Sequence, residues 1–247
     1  NLSYEHNSMN GLGGFPYSFT ATMAQARNAI VDSMTIDVSG IRSVYKVNLD
    51  GYRFMNIRGS VNKAFKAGAN RIQFTLNGSA FVMRTPGFIN ARQIIANNTN
   101  ITGELQSSWA LKSFLTLRAD NELRIYSSSQ KGTNESFFRS TEFINRIVAG
   151  AQLTRKLFVK NIFSFTNLRS QNLPSSNFVL WHMFAGYRFL KADNLELQFS
   201  ALDIFRKNRG VINSGDSRTI TIGRTNVLQQ YFTIGVSYFP RKFGKGD

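Results

Sequence analysis

Apolar and polar residues alternate along most of this chain with a period of two. The clearest segment is Leu115–Ile125. Its apolar set is Leu115, Leu117, Ala119, Leu123 and Ile125, and its polar set is Thr116, Arg118, Asp120, Glu122 and Arg124. Because successive side chains of a β-strand point to opposite faces, this spacing predicts a strand with one apolar and one polar face. Helical spacing, in which apolar positions recur every three or four residues, does not fit.

The same alternation recurs in at least five further segments. They are Arg71–Val82, Leu157–Phe165, Val179–Phe189, Leu195–Ala201 and Phe232–Tyr238. The sequence therefore predicts an all-β protein of antiparallel strands with almost no helix. Apolar residues at alternate positions of nearly every strand are typical of a transmembrane β-barrel, in which those residues face lipid.

The predicted connections differ in length from one end of the strands to the other. Short turns are predicted at Lys66–Ala69, Lys112, Thr154–Lys156 and Lys191–Asp193. Long polar loops are predicted at Thr85–Ala96, Ser127–Ser136, Ser170–Asn177 and Arg206–Thr225. Outer-membrane barrels have short periplasmic turns and long extracellular loops. This pattern predicts that the C-terminus lies at the periplasmic rim.

The N-terminal part of the chain predicts three further strands. Phe15–Val38 and Ile41–Phe65 are each interpreted as one long strand, meeting near Ser39 and Gly40, and Asn1–Met9 is interpreted as another. The total is about eleven strands. Single-chain bacterial barrels normally have an even number, so an odd count means either that one strand is miscounted or that the barrel is incomplete.

Composition and charge narrow the possible functions. The chain contains no apolar run near the roughly 18 residues that a membrane-spanning helix needs. Its net charge is +16, from 30 Lys and Arg against 14 Asp and Glu. These basic residues are spread along the chain, which favours a solvated basic surface or barrel interior over a nucleic-acid patch. We therefore expect no nucleic-acid partner.

The cysteine and histidine content argues against several kinds of site. Cysteine is absent, which excludes disulfides and thiolate metal ligands. The two histidines, His6 and His182, are far apart in sequence and leave little for a zinc site or a His-based triad. We predict no catalytic residues, no metal site and no cofactor.

Three blocks near the C-terminus carry a resemblance to a known family. The blocks are Trp181–Asn194, Leu195–Asn208 and Thr225–Gly244, with a weaker likeness at Asn28–Val31 and Val47–Gly51. They resemble the end of the β-barrel of TonB-dependent outer-membrane receptors, in the group described as an outer-membrane β-barrel family. The resemblance implies a barrel of 22 strands around an N-terminal plug.

The chain departs from that family in ways that change the expected domain organisation. It has no plug, no recognisable energy-coupling box and about half the strands. We therefore expect residues 1–247 to form a single, incomplete domain that corresponds to the C-terminal half of such a barrel.

Several charged residues are candidates for chemistry. Asp120 and Glu122 share a face with Arg118 and Arg124. Paired carboxylates can act in acid–base catalysis, but the alternating signs favour a ladder of charges between neighbouring strands. Asp203 lies near Arg206 and Lys207 in sequence and is predicted to fix a loop through an ion pair.

Aromatic residues near predicted strand ends are candidates for an interfacial girdle. The candidates are Trp109, Trp181, Tyr187, Phe189, Tyr238 and Phe239. A sugar-binding path is the alternative role for these rings. Phe243 resembles the terminal aromatic signal by which outer-membrane barrels are recognised for assembly, with a further girdle residue as the alternative.

By resemblance, we expect a non-enzymatic part of a bacterial outer-membrane receptor that imports a metal chelate, vitamin or glycan. The implied partners are outer-membrane lipid, the remaining strands and plug from the same or another chain, an energy-coupling inner-membrane complex and a possible surface lipoprotein. One alternative is a stand-alone smaller barrel that acts as a passive pore or structural anchor. Another is a soluble basic all-β binding protein.

Overall fold

The computed structural model describes residues 2–8, 15–111, 114–132, 135–190, 193–208, 210–215 and 220–240, whose regular structure is entirely β-strand. The strands are β1 (Leu2–Ser8), β2 (Tyr17–Ala26), β3 (Ala29–Ile36), β4 (Arg42–Leu49), β5 (Tyr52–Ala67), β6 (Asn70–Ile89), β7 (Arg92–Leu111), β8 (Leu115–Lys131), β9 (Ser136–Gln152), β10 (Leu157–Ser170), β11 (Ser176–Phe189), β12 (Leu195–Leu202), β13 (Val211–Gly215), β14 (Ile220–Arg224) and β15 (Tyr231–Tyr238). The prediction of an all-β fold without helix is confirmed for these residues.

Thirteen of the strands form one sheet, and β13 pairs with β14 as a separate hairpin. The order along the sheet is β1-β2-β5-β6-β7-β8-β9-β10-β11-β12-β15, with β3 and β4 off this path. Eleven strands therefore follow one another, the number predicted, and every neighbouring pair on the path is antiparallel. One contact departs from the antiparallel expectation, because Met34 of β3 lies parallel to Ile89 of β6.

Unbroken register gives the sheet two chemically distinct faces. Leu117 lies opposite Trp109 on β7 and Ala149 on β9, whereas Thr116 lies opposite Ala110 and Gly150. No bulge interrupts the pairing of β6 with β7 from Arg71 to Ile89, so the period of two is kept along the whole strand. We call the face that bears Leu117 the apolar face and the one that bears Thr116 the polar face. The predicted sets of alternating residues lie on these two faces.

The strands have a turn end and a loop end. Connections 68–69 and 153–156 lie at the turn end, and connections 90–91 and 171–175 lie at the loop end. The predicted long loop Thr85–Ala96 is wrong: β6 continues to Ile89, β7 begins at Arg92, and only Asn90 and Ala91 connect them. Both connecting residues have positive φ, 49° and 62°, as a type I′ hairpin turn requires.

The predicted loop Ser127–Ser136 is also shorter than expected, because β8 continues to Lys131. Polarity misled the prediction at these two places. The strands run well past their apolar portion, and there polar residues also occur on the face that is apolar in the middle of the sheet.

The two long N-terminal strands are each broken. Asn28 separates β2 from β3 with φ of 54°, and Gly51 separates β4 from β5 with φ of 96°. The side chain of Asp50 bridges the break by accepting a hydrogen bond from the Asn28 N–H at 2.8 Å. The hairpin formed by β3 and β4 is therefore a separate arm at the loop end.

The β3–β4 hairpin departs from the strand order of the sheet. In the sheet, β5 lies between β2 and β6. Beyond Arg84 the neighbour of β6 changes to β3, which follows β2 in the chain. Two-stranded ribbons twist more than wide sheets, which allows this crossover. Hydrogen bonds from Phe88 N to Ser33 Oγ at 3.0 Å and from Asn90 N to Met34 O at 3.1 Å attach the hairpin to β6.

Buried residues occur at the loop end, on the hairpin and on the strands near it. On β3 and on β7 to β9 beyond the apolar part they are Val31, Ser33, Ile94, Ala96, Ser128, Gln130 and Phe138. The five that lie on β7, β8 and β9 all belong to the polar face. Gly87 permits the hairpin to approach, because a Cβ at this position would lie 3.0 Å from the Asp32 carbonyl oxygen. These buried residues thus lie beyond the apolar part of the sheet.

This packing predicts that Gly87→Val displaces the hairpin. Overpacked sites cost roughly 1–3 kcal/mol, and here the clash is with backbone. We expect amide hydrogen exchange of Ala29–Leu49 to accelerate several-fold while exchange in β8 is unchanged. Gly78→Val is the matched control, since a Cβ on Gly78 meets nothing within 4 Å. Equal effects of the two substitutions would contradict the close contact.

Candidate functional site

The apolar face is not covered by any protein layer in the part of the chain that the structure describes. Large apolar side chains along it remain exposed, including Leu76 (54%), Ile147 (44%) and Ile234 (74%). The accessible surface of the chain is 16804 Å², against about 11,000 Å² for a compact monomer of 27.9 kDa. The sheet is therefore a single layer whose apolar side requires an apolar surrounding.

The apolar residues form a band of limited height. On successive strands the last apolar residue before polar ones is Val82, Ile101, Ile125, Phe143 and Phe165. The next residues on the same face towards the loop end are Arg84, Thr99, Ser127, Thr141 and Asn167. The band spans nine residues in Leu157–Phe165 and eleven in Leu115–Ile125. A tilted membrane-spanning β-strand contains about 9–11 residues, so the band matches the thickness of a bilayer core.

Aromatic girdle candidates lie at the turn end of this band. The rings of Tyr187 and Phe189 are in edge contact, with centroids 4.7 Å apart. Tyr238 and Phe239 are more than half exposed, and Tyr238 pairs with Leu195 at the turn end of β12. Phe243, the assembly-signal candidate, lies outside the described residues.

Trp181 occupies a different position from the other girdle candidates. It lies towards the loop end of β11, where its indole N–H donates to Asn161 Oδ1 at 3.1 Å. Its ring lies 5.4 Å from that of Phe205, which belongs to the loop after β12. Trp181 therefore forms part of a loop contact.

The polar face carries the predicted ladder of charges. Arg118 Nε lies 2.7 Å from Asp120, and Arg124 Nε lies 2.6 Å from Glu122. Arg124 also reaches across to Glu142 on β9 at 3.0 Å. The first two pairs lie within β8, and the pair of Arg124 with Glu142 is the one of the three that joins neighbouring strands, as the predicted ladder requires.

A further carboxylate, Glu104, extends this cluster onto β7. It lies directly opposite Glu122 in the register. Its oxygens accept hydrogen bonds from Gln106 Nε2 at 2.6 Å and Asn77 Nδ2 at 3.1 Å. Two carboxylates at directly opposed positions repel each other, and the neighbouring amides and Arg124 offset that repulsion.

Other cations of the polar face have no carboxylate within 4 Å among the described residues. They include Arg58 on β5, Arg146 on β9 and Lys160 on β10. Lys160 and Arg188 line a recess of about 420 Å³ at the turn end. Arg188 is bound to Glu196 at 3.1 Å, and Gly186 leaves room for the ring of Phe158 beside it. The face as a whole therefore suits anionic groups.

The predicted ion pair of Asp203 is wrong in its partners. Asp203 is buried, with 2% of its surface exposed. Its carboxylate accepts hydrogen bonds from the backbone N–H groups of Lys207 and Asn208, each at 3.0 Å. Its own N–H donates to His182 Nδ1 at 3.0 Å. Asp203 thus fixes the loop through the backbone, as expected of a short side chain that can reach nearby N–H groups.

Sequence reasoning missed a pair of polar residues on the apolar face. Asn121 and Asn145 lie opposite each other on β8 and β9, and Asn145 Nδ2 donates to Asn121 Oδ1. The signal was a break in the alternation of Leu115–Ile125, where Asn121 occupies an apolar position.

Both ends of the sheet are open within the described residues. β1 pairs with β2 and β15 pairs with β12, and neither has a second neighbour. The first and last strands therefore do not pair with each other, as expected of the incomplete domain predicted from the sequence. Every residue of β15 is exposed.

Searches for other kinds of site and for known relatives found nothing. In the described ranges, no helix has the length and apolar character to cross a membrane, and no group of three His, Asp or Glu residues is arranged to hold a metal ion. No family model, curated protein or solved structure matches the chain.

The charge ladder predicts that replacing Arg124 lowers the free energy of unfolding more than replacing Arg58 does. Arg124→Gln removes the cation that Glu122 and Glu142 share, and Glu104 lies opposite Glu122. Because like charges then face each other, we expect the free energy of unfolding to fall by about 1 kcal/mol. Arg58→Gln on the same face should change it by less than about 0.5 kcal/mol. Urea titrations of the two variants provide the comparison, and a cost at Arg58 equal to that at Arg124 would contradict the ladder.

Proposed function

We propose that this chain is a segment of an outer-membrane β-barrel of the TonB-dependent receptor type, which takes up nutrients with energy from the inner membrane. The exposed apolar band, nine to eleven residues high, is the observation that carries the proposal. A surface of that height and continuity matches the hydrocarbon core of a bilayer. In this proposal the apolar face contacts lipid and the polar face lines the interior.

The open sheet ends support the part of the proposal that concerns assembly. Unpaired N–H and C=O groups are not tolerated in hydrocarbon, so a membrane barrel must close. The eleven strands on the path are half of the 22 that the resemblance implies. We propose that β1 and β15 pair with strands of the same or another polypeptide, completing the larger barrel.

The remaining partners follow from the resemblance. They are a plug inside the barrel, an energy-coupling complex of the inner membrane and a possible surface lipoprotein at the loop end. In this orientation the turn end is periplasmic. A metal chelate, vitamin or glycan is the proposed class of cargo, and the uncompensated cations of the polar face suit cargo or plug groups that are anionic.

Two observations weigh against the rival functions. A stand-alone small barrel would need β1 and β15 to pair, and they do not. A soluble all-β protein must bury its apolar face against a second layer, and the described residues provide none.

The two faces of β8 provide the first test of lipid contact. Arg on the lipid face of a barrel costs roughly 2–4 kcal/mol at the midplane and less towards the interfaces. We expect Leu117→Arg to destabilise the folded state by about 2 kcal/mol and to lower its amount in the membrane fraction. Thr116→Arg, the adjacent residue on the polar face, is the matched control and should be tolerated. Folding titrations of the assembled protein into bilayers measure both, and equal losses would contradict the assignment of faces.

The second test concerns the open edge of β15. Phe239 N donates to Asn194 O, so the alternation of an antiparallel ladder directs the N–H groups of Ser237, Gly235 and Thr233 towards β12. The N–H groups of Val236 and Ile234 point to the open edge. We expect these two amides to exchange as slowly as that of Gly235 in the protein assembled in its native membrane. Fast exchange at Val236 and Ile234 beside slow exchange at Gly235 would show an unpaired edge and contradict the assembly.

A further inference from the structure

The asparagine pair on the apolar face is only half satisfied. Asn145 Nδ2 donates to Asn121 Oδ1, which leaves Asn121 Nδ2 and Asn145 Oδ1 without a partner among the described residues. If the apolar face contacts lipid, as in the proposed function on which this inference rests, no water reaches these atoms. An unsatisfied polar group in hydrocarbon is costly, so the pair requires another polar partner.

The surroundings of the pair are apolar and exposed. Asn121 is flanked on the same face by Leu105 and Leu123, and Asn145 by Phe143 and Ile147. The exposed fractions of these four side chains are 43%, 42%, 38% and 44%. Small residues, Ala119 on β8 and Ala149 on β9, lie nearby on the same face. A polar centre within a flat apolar surface with small residues resembles the contacts through which membrane segments associate.

We propose that this surface binds a second copy of the same chain through the Asn121–Asn145 pair. The free atoms are one donor group and one acceptor, so the surface is complementary to itself. Around a two-fold axis along the membrane normal, Asn121 Nδ2 of each copy donates to Asn145 Oδ1 of the other at the same depth. Such an isologous contact satisfies both amides and closes at two copies.

Cysteine crosslinking in native membranes tests this contact, because the 247 residues contain no cysteine. Ser127→Cys places a thiol on the apolar face of β8 just beyond the band, six residues from Asn121. Asn177→Cys places one at the same boundary on β11 and is the matched control. We expect a short bis-maleimide to join two copies through Ser127→Cys, giving a product of twice the mass, and not through Asn177→Cys.

Leucine substitution then tests the role of the amides. Asn121→Leu with Asn145→Leu should reduce the Ser127→Cys product roughly tenfold without lowering the amount of protein in the membrane fraction. Asn161→Leu removes another asparagine of the apolar face, the one bound to Trp181, and should leave the product unchanged.

The outcomes separate this inference from the proposed function. Three results with membrane-integrated protein overturn the second-copy contact alone. They are the absence of a crosslinked product, a product that contains a different polypeptide, and a product whose amount does not change when Asn121 and Asn145 are replaced by leucine. If the protein is absent from the membrane fraction, the proposed function is wrong, and the second-copy contact that rests on it is wrong too.

Discussion

The structure depends on the fact that its sheet is one layer thick. In a soluble protein the apolar side of a sheet packs on a second layer, and the free energy of burying that side is the main force that stabilises the fold. Here the apolar side chains of eleven consecutive strands share one face, and none of the described residues covers it. Hydrogen bonds between strands and cross-strand side-chain pairs define the sheet, and an apolar surrounding must supply the rest. We propose a bilayer as that surrounding, because the height of the band matches the thickness of a bilayer core.

The two ends of the strands have different chemistry because only the middle part is apolar. Beyond Val82 and Ile125 polar residues also occupy the face that is apolar in the middle, and buried residues of the β3–β4 hairpin and of β7 to β9 lie in this part of the sheet. At the turn end, connections are short and aromatic rings border the band. On the polar face, arginines and carboxylates pair across strands in a region that water reaches. Each part of the sheet thus carries side chains suited to a different surrounding.

Much of this arrangement could be predicted from the sequence because a period of two survives wherever the register is unbroken. The faces of Leu115–Ile125 and the ladder at Arg118 and Arg124 are examples. Features that depend on one backbone angle could not be predicted, such as the breaks at Asn28 and Gly51. The loop predicted at Thr85–Ala96 failed because polarity was taken as a sign of a loop, although strands outside an apolar band are polar too. Asn121 and Asn145 were missed because their pairing depends on which strands are neighbours.

The central claim is that the apolar face contacts lipid over a band of limited height. This claim can be tested with single cysteines at each position from Leu115 to Ser127, each labelled with a nitroxide in the membrane-assembled protein. The measured quantity is the accessibility of each nitroxide to oxygen and to a water-soluble nickel complex. The account predicts that oxygen accessibility alternates with a period of two, is higher at odd than at even positions, and falls by Ser127. Nickel accessibility should be high at the even positions. Equal access of the nickel complex to odd and even positions would contradict it.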